Sequence, residues 1–328
     1  MTVIQAPSDT AARCLVRAAV RAPSPCNTQP WRFSTGNGEV RLYADPARGL
    51  PVTDPDGREM VVACGAALFN LRMAMRHLGF LPRVSAFPAP SRPWHLATVR
   101  WGPYAPPTAE EEMMFAAVSR RRTHRGPFQP DPLSAVLVAQ LRLHACQEGA
   151  GLYAVSDLRA LRELAVLVRE AESLRRDHPA FAAELANWAP PSGSDRHDGV
   201  PVHAYPRDPD TTAFADRDYA GHARMGHSGR AARITRPALG LVALLGTRHD
   251  RPADWLRTGQ ALQRALLAAA AQHVSAAFHT QPLELPDLRR QVRRSVVGDG
   301  HPQVLLRLGY ALDVSRTPRR PVREVLQG

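Results

Sequence analysis

Residues 64–80 read CGAALFNLRMAMRHLGF and residues 258–274 read TGQALQRALLAAAAQHV. In the first stretch Cys64, Leu68, Leu71, Met75 and Leu78 recur at steps of four, three, four and three, the period of one buried helix face. Gly79 closes that helix. In the second stretch Gly259, Ala261, Leu262 and Ala268 stand where the first has Gly65, Ala67, Leu68 and Ala74, at a constant offset of 194. Two shorter echoes flank the helices in the same order. Gly151–Ser156 (GLYAVS) matches Arg41–Asp45 (RLYAD), and Gln303–Leu312 (QVLLRLGYAL) matches His95–Gly102 (HLATVRWG). Three ordered echoes predict an internal duplication.

Outward from these helices, the pattern gives a helix over Ala11–Arg21 and a hairpin over Trp31–Asp45, turning at Gly36-Asn37-Gly38. A strand is expected at His95–Trp101, then a proline-rich linker at Gly102–Thr108. The chain therefore divides into a first repeat, residues 1–107, and a second, residues 108–328. The second carries an insertion, residues 170–236, without a counterpart in the first and dense in Pro, Gly, Asp and His. A structureless insertion of this length is usually functional, and its turn-forming and aromatic pieces (WAPP at 188–191, DGVP at 198–201, RDY at 217–219) suggest a lid-like excursion over a pocket.

Length and composition narrow the function. The 328 residues suffice for about two domains, and 44% hydrophobic with 22% charged residues is the balance of a globular protein. No apolar run reaches the ~18–20 residues of a membrane span. The first ten residues, MTVIQAPSDT, carry no secretory pattern, and four scattered cysteines without C-x-x-C spacing suit a reducing compartment, so a cytoplasmic protein is expected. The net charge of +12 invites a nucleic-acid reading, but the chain has no lysine, and all 42 basic residues are arginine. An arginine-rich surface is the simpler account, and no nucleic-acid partner is expected.

Several chemistries lack their signature. Gly226-His227-Ser228-Gly229 falls one residue short of G-x-S-x-G, and no Walker loop or G-x-G-x-x-G follows a strand. The histidines do not pair with carboxylates at metal spacing; His222 and His227 are five apart, and no metal site is expected. Two segments do carry chemistry. Ala22–Trp31 (APSPCNTQPW) sets hydrogen-bonding side chains between rigid prolines, as the edge of a flat heterocycle would require. Arg121–Arg125 (RRTHR), preceded by Arg120, packs guanidiniums around a hydroxyl, a good cradle for a phosphate.

Together these segments resemble the nitroreductase superfamily of FMN-binding flavoproteins, and most closely the Acg subfamily, which looks like two fused nitroreductase folds. Supporting stretches include CGAALFNLRMAMRHLGF, HPAFAAELANW, DGVP, DWLRTGQALQRALL, QPLELP and PQVLLRLGYA, together with Gly309-Tyr310 followed by Arg319-Arg320-Pro321. The resemblance implies an α+β, nitroreductase-like fold in which two fused repeats form a pseudo-dimer with a lid-like insertion. It implies that Arg121, Thr123 and Arg319 contact the FMN phosphate and that Arg125 lies near the pyrimidine end of the flavin. Pro23, Ser24, Asn27 and Gln29 would line the ring edge, and Gln281, Pro282, Leu283 and Glu284 would pass over the ring near N5.

Departures from the family set further expectations. The first half has the APSPCNTQPW loop but no arginine motif before it; the second has RRTHR, but its other loop is degenerate around His144–Gly149. One FMN per chain is therefore expected, at the junction of the halves, in a monomer or weak homodimer. The implied activity is NAD(P)H-dependent two-electron transfer through FMN N5 to a nitroaromatic, quinone or similar small-molecule acceptor. No catalytic side chain need appear, because the flavin carries the chemistry. The competing reading is a flavoprotein that sequesters or stores FMN beneath a closed lid.

Overall fold

The computed structural model describes residues 9–205, 212–214, 239–312 and 314–327. Its two sheets each take a helix as backing. The first sheet has strand order β3-β4-β2-β1-β9, formed by β1 (Trp31–Gly36), β2 (Glu39–Ala44), β3 (Phe80–Ala86), β4 (His95–Tyr104) and the C-terminal β9 (Leu326–Gln327). β9 pairs parallel to β1, at Phe33 with Leu326, while the other neighbours are antiparallel. The second sheet, all antiparallel, runs β5-β6-β8-β7, from β5 (Gly151–Val155), β6 (Leu241–Thr247), β7 (Val274–Phe278) and β8 (His301–Tyr310).

Helix α1 (Asp9–Ala19) and α2 (Arg58–His77) pack on the first sheet, where Trp31, Phe33, Leu42 and Leu96 are buried with Leu68, Leu71 and Met75. Shorter helices α3 (Ala109–Val118) and α4 (Ala135–Gln147) precede the second sheet, and α5 (Leu158–Arg176) and α6 (Pro179–Asn187) follow β5. The long helix α7 (Pro252–Ala271) backs the second sheet through Leu262, Ala265, Leu266 and Ala269. The opposite face of that sheet is covered by α5 and α8 (Pro286–Val292), and α9 (Val322–Val325) leads into β9.

The two backing helices meet backbone to backbone. A Cβ on Gly259 would fall 2.0 Å from the Val62 carbonyl oxygen and 2.7 Å from Gly65 Cα. A Cβ on Gly65 would fall 2.3 Å from the Leu256 carbonyl oxygen and 3.0 Å from Gly259 Cα. The contact is reciprocal: Val62 and Leu256, like Gly65 and Gly259, are 194 residues apart. No other side chain lets two helices approach so closely. One turn further on, Gln263 Nε2 donates to Asn70 Oδ1 (2.7 Å), while Asn70 Nδ2 donates to the Ala18 carbonyl (3.0 Å), tying α7, α2 and α1 together.

The hairpin forms as its alternation requires, with Asn37 and Gly38 at positive φ in a two-residue turn. Other expectations need correction. The linker at 102–108 is partly strand, since β4 continues to Tyr104. Strand β3 escapes notice because it contains Pro82; at a sheet edge the missing N–H is tolerated. β7 is hidden in an alanine-rich run that reads as more helix, and the break falls at His273, a non-glycine residue at φ 60°. The insertion is not structureless where it is described: its start is the end of α5, and α6 and a short turn at Val202–Ala204 follow. Residues 206–211 and 215–236 of it, with RDY at 217–219, His222, His227 and Gly226–Gly229, lie outside the described residues.

Because the obstructing atoms at Gly259 are backbone, Gly259→Ala should cost about 3 kcal/mol or more of folding free energy in urea denaturation. Gly36→Ala is the control. It meets nothing within 4 Å and should stay within about 0.5 kcal/mol of the parent.

Candidate functional site

The helix crossing leaves a cavity between the N-terminal turns of α2 and the middle of α7. It encloses about 900 Å³, counting its mouth, and is lined from both halves of the chain. Pro23, Ser24, Pro25 and Cys26 come from the loop after α1, and Thr123, His124 and Arg125 come from the arginine segment. Glu59, Val62 and Ala63 of α2, Leu262 of α7, and Phe278, Thr280, Gln303 and Val304 of the second sheet complete it. The two segments singled out in the sequence thus face one cavity.

Each wall is held by a specific local device. The arginine segment is stitched to the free edge of β7: Thr123 bridges Ala276 in parallel, and His124 N–H donates to the Ala276 carbonyl at 2.8 Å. The loop after α1 is strained, with Cys26, Asn27 and Gln29 at φ of 48°, 54° and 52°. Three non-glycine residues in the left-handed region within four positions persist only where surroundings over-determine them. Here side chains do so. Ser24 Oγ accepts from Gln29 N–H (2.9 Å), and Gln29 Oε1 accepts from Arg320 N–H (2.9 Å) while its Nε2 donates to the His197 carbonyl (2.7 Å).

Asn27 and Gln29, expected on the ring edge, are therefore not in the cavity wall. Asn27 Nδ2 donates to the carbonyls of Gly199 (2.9 Å) and Pro318 (3.1 Å), and its Oδ1 accepts from Arg319 Nη1 (2.9 Å). Both amides are consumed in fastening the loop to the insertion and to the C-terminal arm. Gly199 is fixed here: at φ 74° a Cβ would fall 2.6 Å from both the Trp188 carbonyl oxygen and Pro190 Cδ. The insertion's Phe181 and Leu185 pack behind Cys26, and Arg48 pairs with Asp198. No described residue of the insertion lines the cavity.

Of the segment 281–284, Gln281, Pro282 and Leu283 are buried and stand behind Thr280. Glu284 is ion-paired with Arg175 of α5, an attachment to the element that leads into the insertion. The segment follows β7 and not the long helix directly.

Arg121 and Arg319 are not in the cavity wall; they lie together against the chain that leads into Pro23. Arg121 Nη2 donates to the Arg21 carbonyl (3.2 Å), and Arg319 Nη2 donates to the Ala22 carbonyl (3.3 Å). Among the described residues, buried Nε and Nη1 of Arg121 and buried Nε of Arg319 have no hydrogen-bond partner. Burial, then Arg122 and Arg125, lower the Arg121 pKa to about 9; burial and four neighbouring arginines push Arg319 well below its usual value. Burial and two further arginines, Arg316 and Arg21, lower Arg122. Among the described residues, the charged neighbours acting on these three are arginines. Dehydrated cations are costly unless they are paired, and no carboxylate among the described residues is shown pairing with these three.

Sequence reasoning missed Glu59, Gln303, Thr280 and Phe278. Glu59 sits one residue into α2, where an acidic side chain reads as ordinary helix-start chemistry. Among the described residues no helix is long and apolar enough to cross a membrane, and no group of three or more His, Cys, Asp or Glu side chains is placed to hold a metal.

No family profile matches the chain. A protein of Mycobacterium tuberculosis named "Putative NAD(P)H nitroreductase" is 33% identical over 323 residues, covering 98% of this chain and 91% of its own length. A second from that organism, "Putative NAD(P)H nitroreductase acg", is 32% identical over 321 residues, covering 94% and 93% respectively. Among solved structures, a nitroreductase with bound FMN from Desulfitobacterium hafniense aligns over 66% of this chain and 97% of its own, at 12% identity and a TM-score of 0.41.

Beside the cavity, burial and then the Glu59 carboxylate raise the Asp54 pKa from 3.8 to about 6. A carboxyl whose folded value is raised contributes stability that is complete below its unfolded value and lost as pH rises through the folded one. The parent should therefore lose on the order of 2 kcal/mol between pH 4 and pH 7 on this account. Asp54→Asn keeps an acceptor for the Met60 N–H (2.9 Å to Asp54 Oδ2) and should flatten that part of the profile in urea denaturation. An unchanged slope would remove the assignment.

Proposed function

The chain belongs to the NAD(P)H nitroreductase family, in the Acg branch, and from that premise we propose that it is an FMN-dependent NAD(P)H oxidoreductase. The observation that carries this reading is the buried Arg121 beside the half-buried Arg319, with Arg121 Nε and Nη1 and Arg319 Nε unpartnered among the described residues, near a cavity that Ser24 and Arg125 share. A phosphate monoester supplies the missing acceptor oxygens and about two negative charges. The cavity next to it has flat apolar walls of Pro23, Pro25, Val62, Ala63, Leu262 and Phe278, suited to a planar ring. These residues fit FMN.

In this reading Arg121, Arg319 and the Thr123 hydroxyl hold the phosphate, and Pro23 and Ser24 touch the ring edge. Arg125 faces the pyrimidine end, where its permanent charge favours a ring that gains negative charge on reduction. Asn27 and Gln29 act one step removed, by fixing the loop and the arm that bring Ser24 and Arg319 into place. Thr280 forms the wall near N5, with Gln281–Glu284 as its support. The chemistry that bound FMN would supply there is two-electron, hydride-level transfer through N5 between NAD(P)H and a nitroaromatic, quinone or similar acceptor, with these residues holding and orienting the ring.

We read the two halves, 1–107 and 108–328, as a pseudo-dimer with one FMN per chain. The reciprocal contact of α2 and α7 supports the duplication. In the region of the degenerate loop, Glu148 pairs with Arg72 (2.6 Å) and Arg264 (3.2 Å), so those arginines already have a counter-charge, which supports a single phosphate site. Since one chain supplies both walls, a monomer is sufficient.

The purified protein should be yellow, with one FMN per chain, and anaerobic NADPH should bleach the oxidised flavin band within seconds. Retained colour under NADPH would favour storage over turnover, and failure of the apo-protein to bind FMN would overturn the reading. Arg121→Met and Arg319→Met should each weaken FMN binding by about 10- to 100-fold in a fluorescence titration, the effect of losing one charge-assisted contact.

A further inference from the structure

Glu59 is the one carboxylate in the cavity wall among the described residues, and the flavin reading gives it no task. It is 5% exposed, and its charge is fixed from behind: Arg58 Nη2 lies 2.9 Å from Glu59 Oε1. Arg58 itself is not in the wall. Its Nη1 donates to the Gln303 carbonyl (2.6 Å) and its Nη2 to the Leu283 carbonyl (3.3 Å), so the ion pair is oriented with the carboxylate on the cavity side.

The neighbouring polar wall residue, Gln303, faces away. Its Nε2 donates to Thr247 Oγ1 and Asp250 Oδ1 (both 3.0 Å), and its Oε1 accepts from Arg289 Nη2 (3.2 Å). Arg289 and Asp250 in turn make a two-pronged pair at 2.8 and 2.9 Å. A satisfied buried network thus holds Glu59 in one position, beside the apolar Val62, Ala63, Leu262 and Phe278 of a cavity whose one lining arginine among the described residues is Arg125. A fixed anion in an apolar wall favours a flat ring that carries positive charge.

We propose that Glu59 is a specificity-determining residue that recognises the nicotinamide ring by the positive charge it acquires on oxidation. The inference rests on the FMN reading of the cavity. When a dihydronicotinamide gives up hydride, one proton with two electrons, its neutral ring becomes a pyridinium cation. The carboxylate attracts the cation and is indifferent to the neutral ring, so it assists the donor half of the reaction and not delivery to a neutral acceptor.

Equilibrium binding tests this without turnover. The FMN-loaded protein is titrated with the cation 1-methylnicotinamide and with neutral nicotinamide, followed by the flavin absorption band. The parent should bind the cation about tenfold more tightly, as one partly screened charge contact allows. Glu59→Gln should bring the ratio within about twofold of unity, and Glu59→Asp should keep it. Should Glu59→Gln not fold, the double change Arg58→Met with Glu59→Met removes both charges together and serves instead. Equal binding of the two probes by the parent, or a preference that survives loss of the carboxylate, overturns the proposal. If the protein takes up no FMN, that reading fails by itself, and calorimetry on the apo-protein still reads the preference of Glu59.

Discussion

The close approach of α2 and α7 at Gly65 and Gly259 is the constraint on which the architecture depends. With no Cβ on either residue, the helices touch through backbone atoms, and the sheets they back are drawn to the same centre. The cavity follows from that crossing. Its floor is made by residues within two turns of the glycines: Glu59, Val62 and Ala63 before Gly65, and Leu262 after Gly259. A bulkier crossing would separate the walls and, with them, Ser24 from Arg125. The same glycines that set the fold therefore set the width of the site.

Around that cavity the protein accepts local instability. Arg121, Arg122 and Arg319 repel one another in a partly dehydrated corner, and Cys26, Asn27 and Gln29 hold unfavourable backbone angles beside it. Neither feature helps the chain to fold. Both persist because rigid neighbours enforce them: the β7 edge for the arginine segment, and the amide clamps of Asn27 and Gln29 for the strained loop. Among the described residues, strain and like charge are thus concentrated in one place, as is common at functional sites.

What the sequence disclosed and what it hid divide along physical lines. The helix pair was readable because its apolar period and its glycines repeat at one offset, and the hairpin because Asn-Gly demands one turn type. RRTHR and APSPC were readable as site segments because guanidiniums and prolines have few alternative uses at that density. The partners of Asn27 and Gln29 were not legible, because an amide has the same donors and acceptors whether it meets a ring or a carbonyl from residue 197 or 199. Glu59 was invisible for a related reason: its meaning lies in Arg58, Gln303 and Leu283, whose partnership is made by tertiary packing. Strand β7 was lost because its alanines favour helix, and sheet pairing overrode that preference.

The C-terminal arm shows how these separate devices become one site. From β8 in the second sheet the chain runs past Arg316–Arg320 and ends as β9 beside β1 in the first. On the way Arg319 meets Asn27 and the Ala22 carbonyl, and Arg320 N–H meets Gln29. The arm is therefore seated by the same loop that supplies Ser24 to the cavity, and the loop is in turn held to the insertion at His197 and Gly199. Three segments remote in sequence share two amide side chains as their common fastening. A perturbation of either amide would be felt as a shift of the Arg319 guanidinium, so Asn27 and Gln29 bear on the arginine corner without lining the cavity.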